Sequence, residues 1–246
     1  MTNYLHLLRR LLAVWRGQDF FIRPTAGCPG HVERFGSRYG GWSIITDGLG
    51  RDSVVYSFGV GEDVSFDLAL VERAGLCVHA FDPTPKSIAW VRAQNLTAQF
   101  VLHEFGLAAV DGDVVFNPPQ NPAHVSCTML DRPSTSALAI HVPVQRLSTI
   151  MDSLGHRRID ILKMDIEGAE YAVIDDLGQG NIRPGQILVE FHHRFPGVGI
   201  ARTKAAVAQI TQMGYDLFAV SSSGEEFAFV RRHLAGSGAK GRSSLL

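Results

Sequence analysis

The sequence predicts an α/β protein, a three-layer Rossmann-like sheet that is mostly parallel and carries an antiparallel hairpin strand at its C-terminal end. From residue 53 onward short apolar runs alternate with helical patterns, as strand–helix–strand units with both faces covered require. The turn FGVGED follows the first of those strands and opens a helix. Near the C-terminus, YDLFAV and EFAFVRR are joined by SSSGE and alternate apolar positions, as the arms of a hairpin do.

Along the chain, Leu5, Leu8, Leu12 and Trp15 recur at helical spacing and predict a helix over 3–16, with one apolar stripe expected to dock on the domain. After the loop PTAGCPG, RYGGWSIIT predicts an edge strand. The alternation proper runs strand SVVYSFG, helix VSFDLALVERAG, strand CVHAFD, helix PKSIAWVRAQN and strand AQFVLHEFGLA. Residues 111–145 break it with irregular strands and turns, a composition suited to a pocket wall. It resumes with helix LSTIMDSLG, strand IDILKMD, helix GAEYAVIDDL, strand QILVEFHH and helix TKAAVAQITQMG. The expected organisation is an N-terminal helix and loop over 1–40, one domain over 41–232, and a small, polar, flexible tail over 233–246.

Composition narrows the function classes. With 246 residues, 46% hydrophobic and 19% charged, the chain can bury one large core, which excludes disorder as its main state. A net charge of -1 gives no global field for nucleic acid, so no nucleic-acid partner is expected. The cysteines Cys28, Cys77 and Cys127 include no C-x-x-C spacing, so neither a disulfide framework nor a cysteine zinc site is indicated. Arg9 and Arg10 interrupt the apolar N-terminal stretch well short of the roughly 20 residues a bilayer span needs. A cytoplasmic protein without a transmembrane segment is expected, with homo-oligomerisation open.

The chemistry-bearing residues cluster at strand ends. Gly59 and Gly61 fall where the chain must turn tightly and admit a ligand to its backbone. Val64 stands where a dinucleotide fingerprint has its third glycine, which argues against a nicotinamide-dependent oxidoreductase. Asp82 follows Gly61 at the offset where an acidic residue meets a ribose, although Asp before Pro83-Thr84-Pro85 is also a common turn residue. In LKMDIEGAE, Asp165 closes a strand, and Glu167 and Glu170 share one face if the helix starts near Ile166. Asp165 and Glu167 border the expected crevice, and Glu170 reads better as helix-start decoration. Strand alternation in ILVEFHHRF puts Glu190 beside His192, where a carboxylate can orient an imidazole that takes a proton. The histidines, among them His103, His124, His141, His192 and His193, show no metal-ligand spacing, so no metal site is indicated and metal dependence stays open. NPPQ at 117–120 reads as a proline turn.

VVYSFGVGEDVSFD, VHAFDPTPKS and ILKMDIEGAEYAVIDDL together resemble the FkbM family of S-adenosylmethionine-dependent methyltransferases, over about residues 40 to 232. The terminal hairpin agrees with a methyltransferase-type sheet. Members commonly carry an acidic residue where this chain has Ser57. The resemblance implies S-adenosyl-L-methionine as cofactor, contacted by Ser57, Phe58, Gly59, Val60, Gly61 and Glu62. Asp82 with Pro83 would lie at the ribose, and Glu104, Phe105 and Gly106 would border the adenine. Asp165 and Glu167 would face the amino group or the acceptor. It implies O-methylation of a small-molecule or glycan acceptor, a hydroxyl on a sugar, glycolipid or secondary metabolite. His192, supported by Glu190, is the first candidate base, with Glu167 or Asp165 as the alternative. A cofactor-binding, non-catalytic interaction module is the competing reading.

Overall fold

The computed structural model of the chain describes residues 2–27, 30–119, 127–130 and 134–232. The expected tail over 233–246, Cys28, His124 and Gln120 of the NPPQ string lie outside the described residues. In chain order the elements are α1 (Thr2–Trp15), β1 (Val32–Phe35), β2 (Trp42–Ile45), β3 (Val54–Phe58), α2 (Ser65–Ala74), β4 (Cys77–Phe81), α3 (Pro85–Arg92) and β5 (Phe100–His103). There follow β6 (Gly106–Leu107), β7 (Gly112–Phe116), β8 (Ile140–Gln145), α4 (Leu147–Leu154), β9 (Ile161–Met164), α5 (Glu170–Gln179), β10 (Gln186–Glu190), α6 (Ile200–Gln212), β11 (Tyr215–Val220) and β12 (Glu226–Arg231).

The main sheet has seven strands in the order β11-β12-β10-β9-β3-β4-β5. β3 pairs in parallel with both β4 and β9, β4 with β5, and β9 with β10, while β12 runs antiparallel to β10 and β11. This is the expected Rossmann-like sheet with its antiparallel hairpin strand. Both faces are covered, which is why the central strands read as unbroken apolar runs. Ile187 and Val189 of β10 enter one core with Tyr56, Phe58, Met164 and Ile174. Leu188 between them enters the other, with Val55, Leu70, Val78 and Ile161. From β3 the chain builds outward through β4 and β5, then returns to the opposite side of β3 with β9. That reversal leaves a crevice beyond the carboxyl ends of β3 and β9, where ligands of open α/β sheets bind.

Four expectations are corrected. AQFVLHEFGLA is not one strand: β5 ends at His103, and β6 pairs with β8 in a separate three-stranded sheet ordered β6-β8-β7. That small sheet is the regular part of the 111–145 excursion. RYGGWSIIT is not an edge strand of the main sheet, because β2 pairs antiparallel with β1. The Gln186 amide holds this hairpin to the main sheet, accepting from Ile45 N–H at 2.8 Å and donating to Ile45 C=O at 2.8 Å. The helix over LKMDIEGAE starts later than Ile166, at Glu170.

The fourth correction concerns α1. Its described apolar stripe is not docked, since Leu8, Leu12 and Trp15 are all exposed, Trp15 by 83%. The helix is tied down through Arg10 instead. That guanidinium lies 3.5 Å from buried Asp19, donates to the carbonyl of Phe20 at 3.2 Å, and covers the Phe21 ring. Among the described residues no helix is long and apolar enough to cross a membrane.

Candidate active site

At the switch point lies a cavity of about 560 Å³, within the range of small-molecule sites. One wall is the turn after β3. Gly59 and Gly61 have φ of +77° and +59°, a left-handed region that favours glycine. A Cβ on Gly59 would sit 1.7 Å from the Asp165 carbonyl oxygen, so this turn touches the backbone leaving β9. Lys163, buried in β9, donates from Nζ to the carbonyl of Gly59 at 2.9 Å and braces the turn from below. Phe58, Val60 and Glu62 also line the cavity. Ser57 does not, because strand alternation turns its fully buried side chain the other way, beside Asp67.

Asp82 and Pro83 form the next wall. Asp82 uses both carboxylate oxygens within the protein. Its Oδ1 accepts from Thr84 N–H at 2.9 Å and from the Thr84 hydroxyl at 2.6 Å, which makes it a turn residue ahead of α3. Its Oδ2 accepts from Gly61 N–H at 3.0 Å and has one lone pair uncommitted within the protein, in a residue that lines the cavity. That oxygen therefore retains capacity for one further donor.

Gly106 lines the cavity as expected, together with Leu107, but Glu104 and Phe105 do not. Glu104 is 40% exposed and pairs with Arg92, and Phe105 packs on Phe81 and His103. They miss because the chain leaves the main sheet at His103. The 111–145 excursion closes this side with Phe116 and Cys127.

The acid-rich turn forms the far wall, with Asp165, Ile166 and Glu167 lining it. Glu167 has φ +52°, and its strained turn is pinned by the Thr128 hydroxyl, which donates to the Glu167 carbonyl. Glu190 and His192 do not line the cavity but lie directly behind this wall. His192 Nε2 is 3.4 Å from Glu167 Oε2 and 3.8 Å from Asp165 Oδ1.

Glu170 is no helix decoration. It is fully buried, and its Oε1 accepts from His192 N–H at 3.0 Å and faces His192 Nδ1 at 3.3 Å. Glu170, not Glu190, is thus the carboxylate that orients the imidazole. Burial alone would lower the His192 pKa, but the hydrogen bond and charge of Glu170, then the charges of Glu167 and Asp165, raise it to about 10. Burial, then the charge of Asp165, pushes Glu190 far above the carboxylate range. These carboxylates favour the protonated imidazole, and His192 stands behind the cavity wall rather than on it. Glu170 and Lys163 were the residues that sequence reasoning missed. A lysine inside the apolar strand run ILKM was the available signal for the second.

A family model described as the methyltransferase FkbM domain matches residues 53–238. The chain belongs to the FkbM methyltransferase family. This FkbM chain is 27% identical over 158 residues to a human protein called probable methyltransferase-like protein 24, covering 63% of this chain and 37% of that protein. The rat protein of that name is 25% identical over the same length. The chain thus spans under two fifths of the curated relatives it matches. Among solved structures, the FkbM methyltransferase of Methylobacillus flagellatus KT aligns with a TM-score of 0.46 at 12% identity, over 74% of this chain and 44% of that one. Aeropyrum pernix fibrillarin, solved with natively bound S-adenosyl-L-methionine, aligns with a TM-score of 0.34 at 8% identity, over 74% and 66%.

Proposed function

We propose that the chain is an S-adenosylmethionine-dependent methyltransferase that methylates a hydroxyl oxygen of a sugar, glycolipid or secondary metabolite. The observation that carries the cofactor reading is the joining of Asp82 to the glycine turn. One carboxylate oxygen is fixed 3.0 Å from Gly61 N–H and still has acceptor capacity at the wall of a cavity of about 560 Å³. This suits the hydroxyl of a nucleoside whose tail lies along a backbone free of side chains at Gly59 and Gly61. Val64, buried where a third glycine would stand, speaks against a pyrophosphate ligand.

Gly59, Gly61 and Asp82 would hold S-adenosylmethionine, which when bound would supply an activated methyl group for the acceptor oxygen and leave as the neutral thioether S-adenosylhomocysteine. The protein then has to align the acceptor oxygen and exclude water. Phe116, Leu107 and Trp42 supply apolar walls, and the Glu167 carboxylate, at the cavity surface, receives the hydroxyl proton.

Calorimetric titration with S-adenosylhomocysteine, with NADH as control, tests the reading. Micromolar binding that Asp82→Ala weakens at least tenfold supports it. Binding of NADH in its place, or no binding of S-adenosylhomocysteine, overturns it.

A further inference from the structure

Behind the acid-rich wall, β9 and β10 end side by side and bring Asp165, Glu190 and His192 together, with one ligand atom from each lying within 4.8 Å of the other two. We propose that these three side chains form a divalent-cation site that takes an ion of the Mn2+ class. Sequence spacing gave no sign of it, because the ligands come from two strand ends that only the parallel pairing of β9 with β10 makes adjacent.

The argument rests on which lone pairs face each other. Glu170, outside the trio, holds the imidazole through Nδ1 at 3.3 Å, which leaves Nε2 facing Glu167 at 3.4 Å and Asp165 at 3.8 Å. A carboxylate fixing the far nitrogen of an imidazole is the support that metal-ligating histidines regularly have. Glu190 is largely buried, yet its carboxyl group forms no hydrogen bond or ion pair with described residues. Two carboxyl groups and an imidazole nitrogen converge here, so either protons or a cation occupy the space between their lone pairs. A proton on Nε2 and a divalent ion are alternative occupants of that place. An octahedral ion with ligand bonds of about 2.1 Å sets neighbouring ligands about 3 Å apart and opposite ones about 4.2 Å apart. His192 Nε2 and Asp165 Oδ1, at 3.8 Å, fall between those two spacings.

Two carboxylates with one imidazole favour a hard to borderline ion that tolerates water or hydroxyl in its other positions. Asp165 lies both in the trio and on the cavity wall, so an ion there would present those positions toward an acceptor oxygen. That role rests on the methyltransferase reading above. The binding of the ion does not.

Titration with Mn2+, followed by loss of the free-ion electron paramagnetic resonance signal, tests the site without turnover. One ion per chain is expected, with binding weakened at least tenfold in both Glu190→Gln and His192→Ala, and in Glu170→Gln through the lost support of Nδ1. Circular dichroism of the same samples verifies that each variant is folded, and their binding of S-adenosylhomocysteine scores the cofactor reading separately. Absence of Mn2+ binding at millimolar ion, or equal binding by wild type and the folded Glu190→Gln variant, overturns the proposal. Ion binding that follows the variants in a protein indifferent to S-adenosylhomocysteine would support the cation site while removing the cofactor reading.

Discussion

The buried carboxylate of Glu170 accepts the backbone N–H of His192 at 3.0 Å while its other oxygen accepts that of Gly168 at 2.8 Å. One side chain thereby fastens the turn after β9 to the chain leaving β10. Glu170→Ala leaves two interior donors without an acceptor, at a cost of about 3 kcal/mol. Glu170→Gln keeps one carbonyl acceptor and loses about half as much. Urea unfolding of both variants checks the ordering, and an alanine variant within about 0.5 kcal/mol of wild type would contradict it.

Gly59 and Gly48 offer a matched comparison. Both have positive φ, +77° and +80°, but a Cβ at Gly48 meets nothing within 4 Å whereas one at Gly59 would overlap the Asp165 carbonyl. Gly48→Ala is expected to cost only the conformational penalty, about 1 kcal/mol. Gly59→Ala displaces the backbone between β3 and β9 and should abolish S-adenosylhomocysteine binding. Equal melting and equal binding in the two variants would contradict the contact.

His79 supplies a pH dependence. Its Nδ1 lies 3.0 Å from His103 Nε2, and burial, then the charges of His156 and His103, lowers its pKa to about 4. The folded state therefore resists protonating an imidazole that the unfolded chain protonates below about 6.5. The stabilising contribution is intact above that pH and is lost progressively as pH falls toward 4. The melting temperature should drop between pH 7 and pH 5, and His79→Phe should flatten the drop. A variant profile parallel to wild type would reject this origin.

In α1 the charged contact should matter more than the apolar stripe. Leu8→Ser, Leu12→Ser and Trp15→Ser alter exposed positions and should each shift stability by less than about 0.5 kcal/mol. Arg10→Ala removes a partner of buried Asp19 and the cover over Phe21, and should lower the melting temperature measurably. Thermal melts of the four single variants decide the order.

The main sheet was legible because burial on both faces imposes unbroken apolar runs between turn residues, and the terminal hairpin because one alternating pattern follows another across SSSGE. Of the site, what local spacing encodes could be read: the glycine turn, Asp82, and the acids after β9. What depends on the meeting of distant segments could not. Glu170 looked like an ordinary first-turn acid because its partner His192 stands 22 residues away. Ser57 and Glu104 were assigned by position in a motif, yet strand alternation turns one inward and the departure of the chain from the sheet carries the other to the surface. The apolar stripe of α1 has the periodicity of a docked helix, and periodicity alone does not say which face is used.

The close approach of Gly59 to the Asp165 carbonyl has a thermodynamic consequence. The backbone that would cradle a nucleoside and the backbone that carries a candidate ion ligand are in contact, so neither can shift without displacing the other. Occupancy on one side is then felt on the other as a coupling free energy, and such coupling is reciprocal. Whatever factor an ion contributes to nucleoside affinity, the nucleoside returns to the ion, and two separate titrations must yield the same number.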